Sequence, residues 1–169
     1  VGVVGLGGLG QMAVKIAGAL GCEVTVISRL RTKEAYAKSI GASTFVCSEE
    51  RKSVDAHRRS LDLILNTVPV HHDYTKYQKL LSRERSARVK GRPKQIILGL
   101  HVGLVGGLFS STIRGDSSPL AMSGIGGVRA TQEVMDLCAK HDIKPDIKVV
   151  QPNQLTEVYQ ILDDGNDGG

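Results

Sequence analysis

Gly5, Gly7 and Gly10 stand in the run VVGLGGLGQMAVKIAGALG, residues 3 to 21, where they satisfy G-x-G-x-x-G between a short apolar segment and a periodic one. This spacing suits the binding of a pyrophosphate. The first glycine permits a tight turn, the second leaves no Cβ in the anion's path, and the third lets the helix lie close on the strand before it. Unpaired N–H groups of the first helical turn then face the phosphates. A strand-to-helix connection that merely favours glycine is the plain alternative. Three correctly spaced glycines, with a second β-branched run starting at residue 22, favour a dinucleotide.

Which dinucleotide depends on the end of that second run. An acidic residue about 20 positions past the glycines would hold the ribose 2′-hydroxyl of NAD. Here the chain has Ser28 and Arg29, with Arg31 and Lys33 just beyond. An acidic side chain would repel a 2′-phosphate, whereas Ser28 can hydrogen-bond it and Arg29 can clamp it with charge-assisted bonds. NADP is therefore expected over NAD. In the competing reading the cations are solvated charges at a helix start, and the missing acidic residue stands either way.

Other reactive side chains offer less. His71, His72 and Asp73 are adjacent, but neighbouring histidines cannot easily face one ion from a regular helix, so no metal site is expected and Asp73 is assigned to a helix start. His101 and His141 stand alone and read as surface or turn residues. Cys22, Cys47 and Cys138 are widely spaced with no C-x-x-C, which indicates neither a disulfide framework nor a zinc knuckle; all three are expected to be buried or half-buried. A short-chain reductase needs Tyr-x-x-x-Lys. The residues four places after Tyr36, Tyr74, Tyr77 and Tyr159 are Ile40, Gln78, Leu81 and Asp163, so that class is excluded.

The elements that must position these residues follow from pattern. The chain has 169 residues, 41% of them hydrophobic and 23% charged, which suits one soluble globular domain with a real core. No apolar run is long enough to span a membrane and no signal peptide is recognisable, so a cytoplasmic setting is the default. The net charge of +5 is carried by RERSARVKGRPK, residues 83 to 94, a run without aromatic residues to stack bases; it is read as a solvated loop, and no nucleic-acid partner is expected.

Strands are expected at 1–4, 22–28, 43–48, 61–68, 94–100, 119–127 and 146–150. Helices are expected after the glycine turn, with Leu9, Met12, Ala13, Ile16, Ala17 and Leu20 as the apolar stripe, and over 33–40 with Thr32 as cap. Further helices are expected at 72–81, 131–143 and 153–165, while residues 49–60 read as a polar stretch. Strands alternating with helices imply a doubly wound parallel α/β sheet.

VGVVGLGGLGQMAVKIAGALG followed by VTVISRLRTK resembles the coenzyme-binding domain of the zinc-dependent medium-chain alcohol dehydrogenases, in their cinnamyl-alcohol-dehydrogenase-like NADP branch. The likeness continues through LDLILNTV, ILGL, SGIGGVRATQEVMDLCAKHDIKPDIKVV and NQLTEVYQIL. The resemblance implies a Rossmann-type domain over 1–127 and a helix-strand-helix segment over 128–169 leading back to a catalytic domain. It places the phosphate turn on Gly7, Gly8, Leu9 and Gly10, and the 2′-phosphate on Ser28, Arg29 and Lys33. The nicotinamide falls against Leu98, Gly99 and Leu100 and against Ser123, Gly124 and Ile125, with Thr67 and Val68 lining the cleft.

The resemblance further implies hydride transfer between NADP(H) and a primary alcohol or aldehyde, with a possible homodimer through the region of Pro119 to Met122. The family's zinc ligands precede the stretch where this sequence starts, so no catalytic or metal residue is assigned and the chain is expected to be part of a protein about twice as long. The family's short turn before its fifth strand is replaced by the basic run. A non-catalytic dinucleotide-binding or redox-sensing module is the alternative, and a zinc-free quinone reductase of the same superfamily a minor variant.

Overall fold

In the computed structural model, which describes residues 1–70, 72–83, 93–98 and 120–163, the apolar runs shorten into strands: β1 (Gly2–Val4), β2 (Thr25–Ser28), β3 (Thr44–Cys47), β4 (Leu63–Asn66), β5 (Lys94–Ile97) and β6 (Leu120–Met122). They form a six-stranded sheet in the order β3-β2-β1-β4-β5-β6, with every neighbouring pair parallel. Parallel neighbours need long crossovers. The helices in chain order are α1 (Gly8–Ala19), α2 (Glu34–Ser39), α3 (Arg51–Ala56), α4 (Thr75–Gln78), α5 (Val128–Lys140) and α6 (Leu155–Asp163). The chain winds outward from β1 to β3, then returns to place β4 on the other side of β1. This is the doubly wound, Rossmann-type arrangement, and its order reverses between β1 and β4.

Strand alternation builds a core on each face of the sheet. Val3, Val26 and Phe45 join Val14 and Ala17 of α1 and Ala37 of α2 on one face. On the other, Val4, Ile27, Val46 and Ile64 meet Tyr77, Leu80 and Leu81, with Val54 of α3 against them. Full burial of β1 explains why its residues are apolar without a break.

Several local expectations change. The buried face of α1 is Gly10, Val14 and Ala17, whereas Leu9 and Leu20 are 59% and 62% exposed. The rotation follows from Gly10, whose lack of a side chain lets that face press against β1. Residues 51–56 of the polar stretch form α3, whose Asp55 pairs with Arg51 and Arg58. Thr32 lies inside a 3-10 turn, Arg31–Lys33, that leads into α2, and no side chain caps either element.

Residues 146–150 form no strand, which corrects the helix-strand-helix reading of 128–169. Side chains of α1 take the segment's backbone groups instead: Lys15 Nζ donates to the Lys144 carbonyl at 2.7 Å, and the Asp146 N–H donates to Gln11 Oε1 at 2.8 Å. The Asp146 carboxylate accepts from Lys15 and from the Tyr36 hydroxyl, both at 2.6 Å. These bonds hold the carboxyl below its usual range. Burial and that same bond push the Tyr36 hydroxyl up to about 12. Elsewhere α4 is shorter than expected, and Asp73 does serve its start, accepting from the Thr75 N–H at 2.9 Å and hydroxyl at 2.6 Å.

Candidate functional site: the rim at the β1 and β4 ends

Gly5 follows β1 with φ +89°, a left-handed conformation that favours glycine. Its N–H donates to the Ile27 carbonyl at 3.1 Å, which ties the turn to β2. A Cβ on Gly5 would lie 3.0 Å from both Thr67 Oγ1 and Val68 Cγ2, and one on Gly10 only 2.1 Å from the Gly5 carbonyl oxygen. Around Gly7 and Gly8 the situation is opposite: a Cβ on either would meet nothing within 4 Å. Two glycines of the motif permit close backbone approach, and Gly7 and Gly8 between them face open space.

The first α1 bond at this end runs from the Gln11 N–H to the Gly7 carbonyl at 3.0 Å. The N–H groups of Gly8, Leu9 and Gly10 therefore lack a partner within the helix. No side chain caps α1 and no acidic residue stands in its first turn. Donors and the positive end of the helix dipole are thus presented together to an anion.

At the tip of β2, Ser28 is half-buried and Arg29 exposed. The Ser28 carbonyl accepts from the Ser48 N–H at 2.8 Å, holding this tip to the residue after β3, while its Oγ takes a long 3.4 Å bond from the Leu30 N–H. Arg31 is committed elsewhere. Its guanidinium grips both oxygens of Glu50 and also reaches Glu34 at 3.0 Å. Glu50 is held below the usual carboxylate range chiefly by that bond, and the Arg31 charge is reinforced by it. Lys33 is half-buried in the 3-10 turn.

At the tip of β4, the Thr67 hydroxyl and N–H both donate to the Val4 carbonyl, at 2.8 and 3.0 Å, locking β4 to β1 across the reversal of strand order. Asn66 is fully buried. Its Oδ1 accepts from the Val68 N–H at 3.2 Å, its Nδ2 lies 2.9 Å from His72 Nε2, and its carbonyl accepts from the Leu98 N–H at 2.8 Å. The Ser123 N–H donates to the Ile97 carbonyl at 3.1 Å, and Ser123, Gly124 and Ile125 beyond it are exposed.

Gly5, Gly7, Gly8, Leu9, Gly10, Thr67 and Val68 thus gather at the strand reversal, flanked by Ser28 and Arg29 at the β2 tip and by Leu98 and Ser123–Ile125 beyond β4. Gly99 and Leu100 lie outside the described residues, as do His71, His101, Pro119 and most of the basic run. Sequence reasoning passed over Asn66 and weighed His72 only as a metal ligand; the available signal was an asparagine ending the apolar run LILN.

An open cavity of about 440 Å³ lies between α1 and the segment after α5, lined by Lys15, Ala19, Ile40 and residues His141 to Lys144 and Asp146. It sits toward the other end of α1, and its charges are already paired, Lys15 with Asp146 and Lys144 with Asp142. Among the described residues no three His, Cys, Asp or Glu side chains converge as a metal site, and no helix is long and apolar enough to cross a membrane.

Comparison with known proteins agrees with this geometry. The chain is 36% identical over 160 residues to aldehyde reductase YahK of Escherichia coli, a match that spans 95% of this chain and 44% of that protein. It is 34% identical over 160 residues to NADP-dependent alcohol dehydrogenase C 1 of Mycolicibacterium smegmatis, across 95% of this chain and 43% of the relative. Among solved structures, a cinnamyl alcohol dehydrogenase of Sorghum bicolor superposes with a TM-score of 0.78 at 30% identity, over 96% of this chain and 44% of its own. The Helicobacter pylori enzyme CAD, complexed with NADP(H), gives 0.74 at 33% identity, over 97% of this chain and 44% of its own. The chain therefore spans less than half the length of these relatives. The zinc-binding dehydrogenase family model matches residues 8–95, from the mouth of α1 into β5 and more than half of the sequence, and the chain belongs to that family.

Proposed function

We propose that the chain is the coenzyme-binding part of an NADP-dependent alcohol dehydrogenase or aldehyde reductase. The observation that carries this reading is the contrast within the glycine turn. Gly5 and Gly10 are pressed so closely that a side chain on Gly10 would collide with backbone, while Gly7 and Gly8 open onto free space before an uncapped helix. That cradle fits a pyrophosphate. The relatives lend support, since one is an NADP-dependent alcohol dehydrogenase, another an aldehyde reductase, and a third is a structure holding NADP(H).

In this reading Gly5, Gly7, Gly8, Leu9 and Gly10 hold the pyrophosphate through backbone donors. Ser28 and Arg29 hold the 2′-phosphate, with Lys33 as an additional cation. Thr67, Val68, Leu98, Gly99, Leu100 and Ser123 to Ile125 orient the nicotinamide, whose ring supplies or accepts hydride opposite a small alcohol or aldehyde. The described residues do not assemble a zinc site. We assign coenzyme binding to residues 1–127 and a connecting role to 128–169. The three free cysteines suit a cytoplasmic setting. The terminal position of β6, bonded to β5 on one side, suits a homodimer edge, which sedimentation would detect.

The test is a titration of the chain with NADPH and with NADH, followed by nicotinamide fluorescence. NADPH should bind more tightly. Arg29→Asp should weaken NADPH by about 10- to 100-fold, the worth of a charge-assisted hydrogen bond, and NADH far less. Equal loss for both coenzymes rejects the 2′-phosphate contact, and no binding of either rejects the dinucleotide.

A further inference from the structure

We infer that His72, neutral and carrying its proton on Nδ1, is a positioning residue for the coenzyme site, and that protonating its other nitrogen loosens the site's inner wall. The inference rests on the dinucleotide reading above. His72 Nδ1 lies 2.7 Å from the Val70 carbonyl. A carbonyl only accepts, so the hydrogen is on Nδ1. Nε2 is then the bare nitrogen, and it accepts from Asn66 Nδ2 at 2.9 Å.

The Asn66 amide cannot turn over to suit a different ring. Its Oδ1 takes the Val68 N–H at 3.2 Å, and a flipped amide would set its NH2 against that N–H. Val68 in turn lies where a Cβ on Gly5 would touch its Cγ2 at 3.0 Å. A continuous line of contacts thus runs from the imidazole through Asn66 and Val68 to the glycine turn.

A proton taken from solvent onto Nε2 places two donors face to face, His72 Nε2–H and the Asn66 NH2, inside a fully buried amide's pocket. One of them must swing away. Tyr74 stacks on the imidazole at 4.3 Å between ring centroids and Tyr77 meets it edge-on at 5.7 Å. Burial pushes both tyrosine hydroxyls up, so both rings are neutral. Lys76 sits 5.3 Å from the Tyr77 centroid and pairs with Glu49 at 3.1 Å. The Asp73 carboxylate is occupied by Thr75.

Two measurements on the whole chain test the proposal. In the wild type, nitrogen-15 NMR of the histidine rings at pH 8 should show His72 as the Nδ1–H tautomer. NADPH dissociation constants are then measured from pH 8 to pH 5.5 for wild type, His72→Gln and Asn66→Asp. Glutamine can accept from Asn66 and donate to Val70 without titrating, so His72→Gln should bind like wild type at pH 8. The 2′-phosphate itself titrates near pH 6, so the ratio of the two proteins is the readout. Wild type should lose about fivefold more affinity than His72→Gln, one net hydrogen bond, with a midpoint that follows the ring's own titration.

Asn66→Asp should keep the ring protonated to higher pH and move that midpoint upward; if this variant does not fold, the glutamine comparison stands alone. Parallel curves for wild type and His72→Gln, or an Nε2–H tautomer, overturn the positioning role and leave the coenzyme reading intact. Failure of the wild type to bind NADPH at any pH overturns both.

Discussion

Replacing Gly10 with alanine separates what the glycine turn does for the fold from what it does for a ligand. A Cβ at this position would stand 2.1 Å from the Gly5 carbonyl oxygen and 2.8 Å from its carbon, against ordinary contact near 3.5 Å. Both atoms are backbone at the end of a fully buried strand, so α1 must retreat by about 1 Å rather than a side chain give way. Overpacking of this kind costs about 3 kcal/mol at the upper end, and alanine returns at most about 1 kcal/mol in helix propensity.

The net loss is about 2 kcal/mol. In a domain of this size that lowers Tm by about 4–8 °C, readable by calorimetry or circular dichroism. Gly7→Ala is the counterpart, because a Cβ there meets nothing within 4 Å. It should cost about 0.5 kcal/mol as a poorer N-cap and move Tm by no more than about 2 °C. Yet NADPH affinity should drop at least about tenfold, since the side chain occupies the pyrophosphate's path. A Gly10→Ala protein that melts with the wild type refutes the close approach. A Gly7→Ala protein that binds NADPH normally refutes the ligand path.

Three further outcomes are expected. Val14→Ala removes a fully buried side chain from the α1 face of the core and should cost about 1–3 kcal/mol in urea denaturation, whereas Leu9→Ala, at an exposed position, should stay within about 0.5 kcal/mol; the reverse ranking would mean that the helix presents the other face. Asp146 has a folded-state pKa lowered chiefly by its bond from Lys15 and then by that from Tyr36, so its stabilisation is complete above the unfolded carboxylate value near 3.9 and is lost as pH falls through the depressed folded value. Protection of the Asp146 amide, which bonds Gln11, should therefore fall in acid when measured against its intrinsic exchange rate, and Asp146→Asn should abolish that pH dependence. Glu50→Gln should loosen the grip on Arg31 and let that cation compete for the 2′-phosphate, partly rescuing NADPH binding in Arg29→Asp; no rescue would show that Arg31 cannot reach the ligand.

The doubly wound parallel architecture was legible because β-branched runs and a glycine turn repeat in sequence the alternation that a parallel sheet requires. The facing of α1 was not. Periodicity counts apolar side chains, and the residue that decides this rotation, Gly10, has none. α3 was hidden because Val54 is its sole residue packed into the core, too little for a 3.6-residue pattern. DIKVV has a strand's composition, yet the groups that capture the start of this segment, Gln11 and Lys15, lie about 130 residues earlier in the chain.

For the site, the glycine spacing was readable residue by residue. The three cations after Ser28 were not separable, because Glu50, beyond a different strand, withdraws Arg31. The Asn66 and His72 contact joins the last residue of β4 to one six places on, outside any regular element, where no periodicity reports it.

Because all six strands point the same way, every described group proposed for the coenzyme lies at their C-terminal ends. The opposite end carries the helix-to-strand turns at Gly21 and Gly41, where an added Cβ would meet nothing within 4 Å although φ is +77° and +105°. A peptide tag or reporter spliced in beside those turns would extend away from the ligand end, which marks them as handles for labelling or immobilising the protein while coenzyme exchange is watched at the far side.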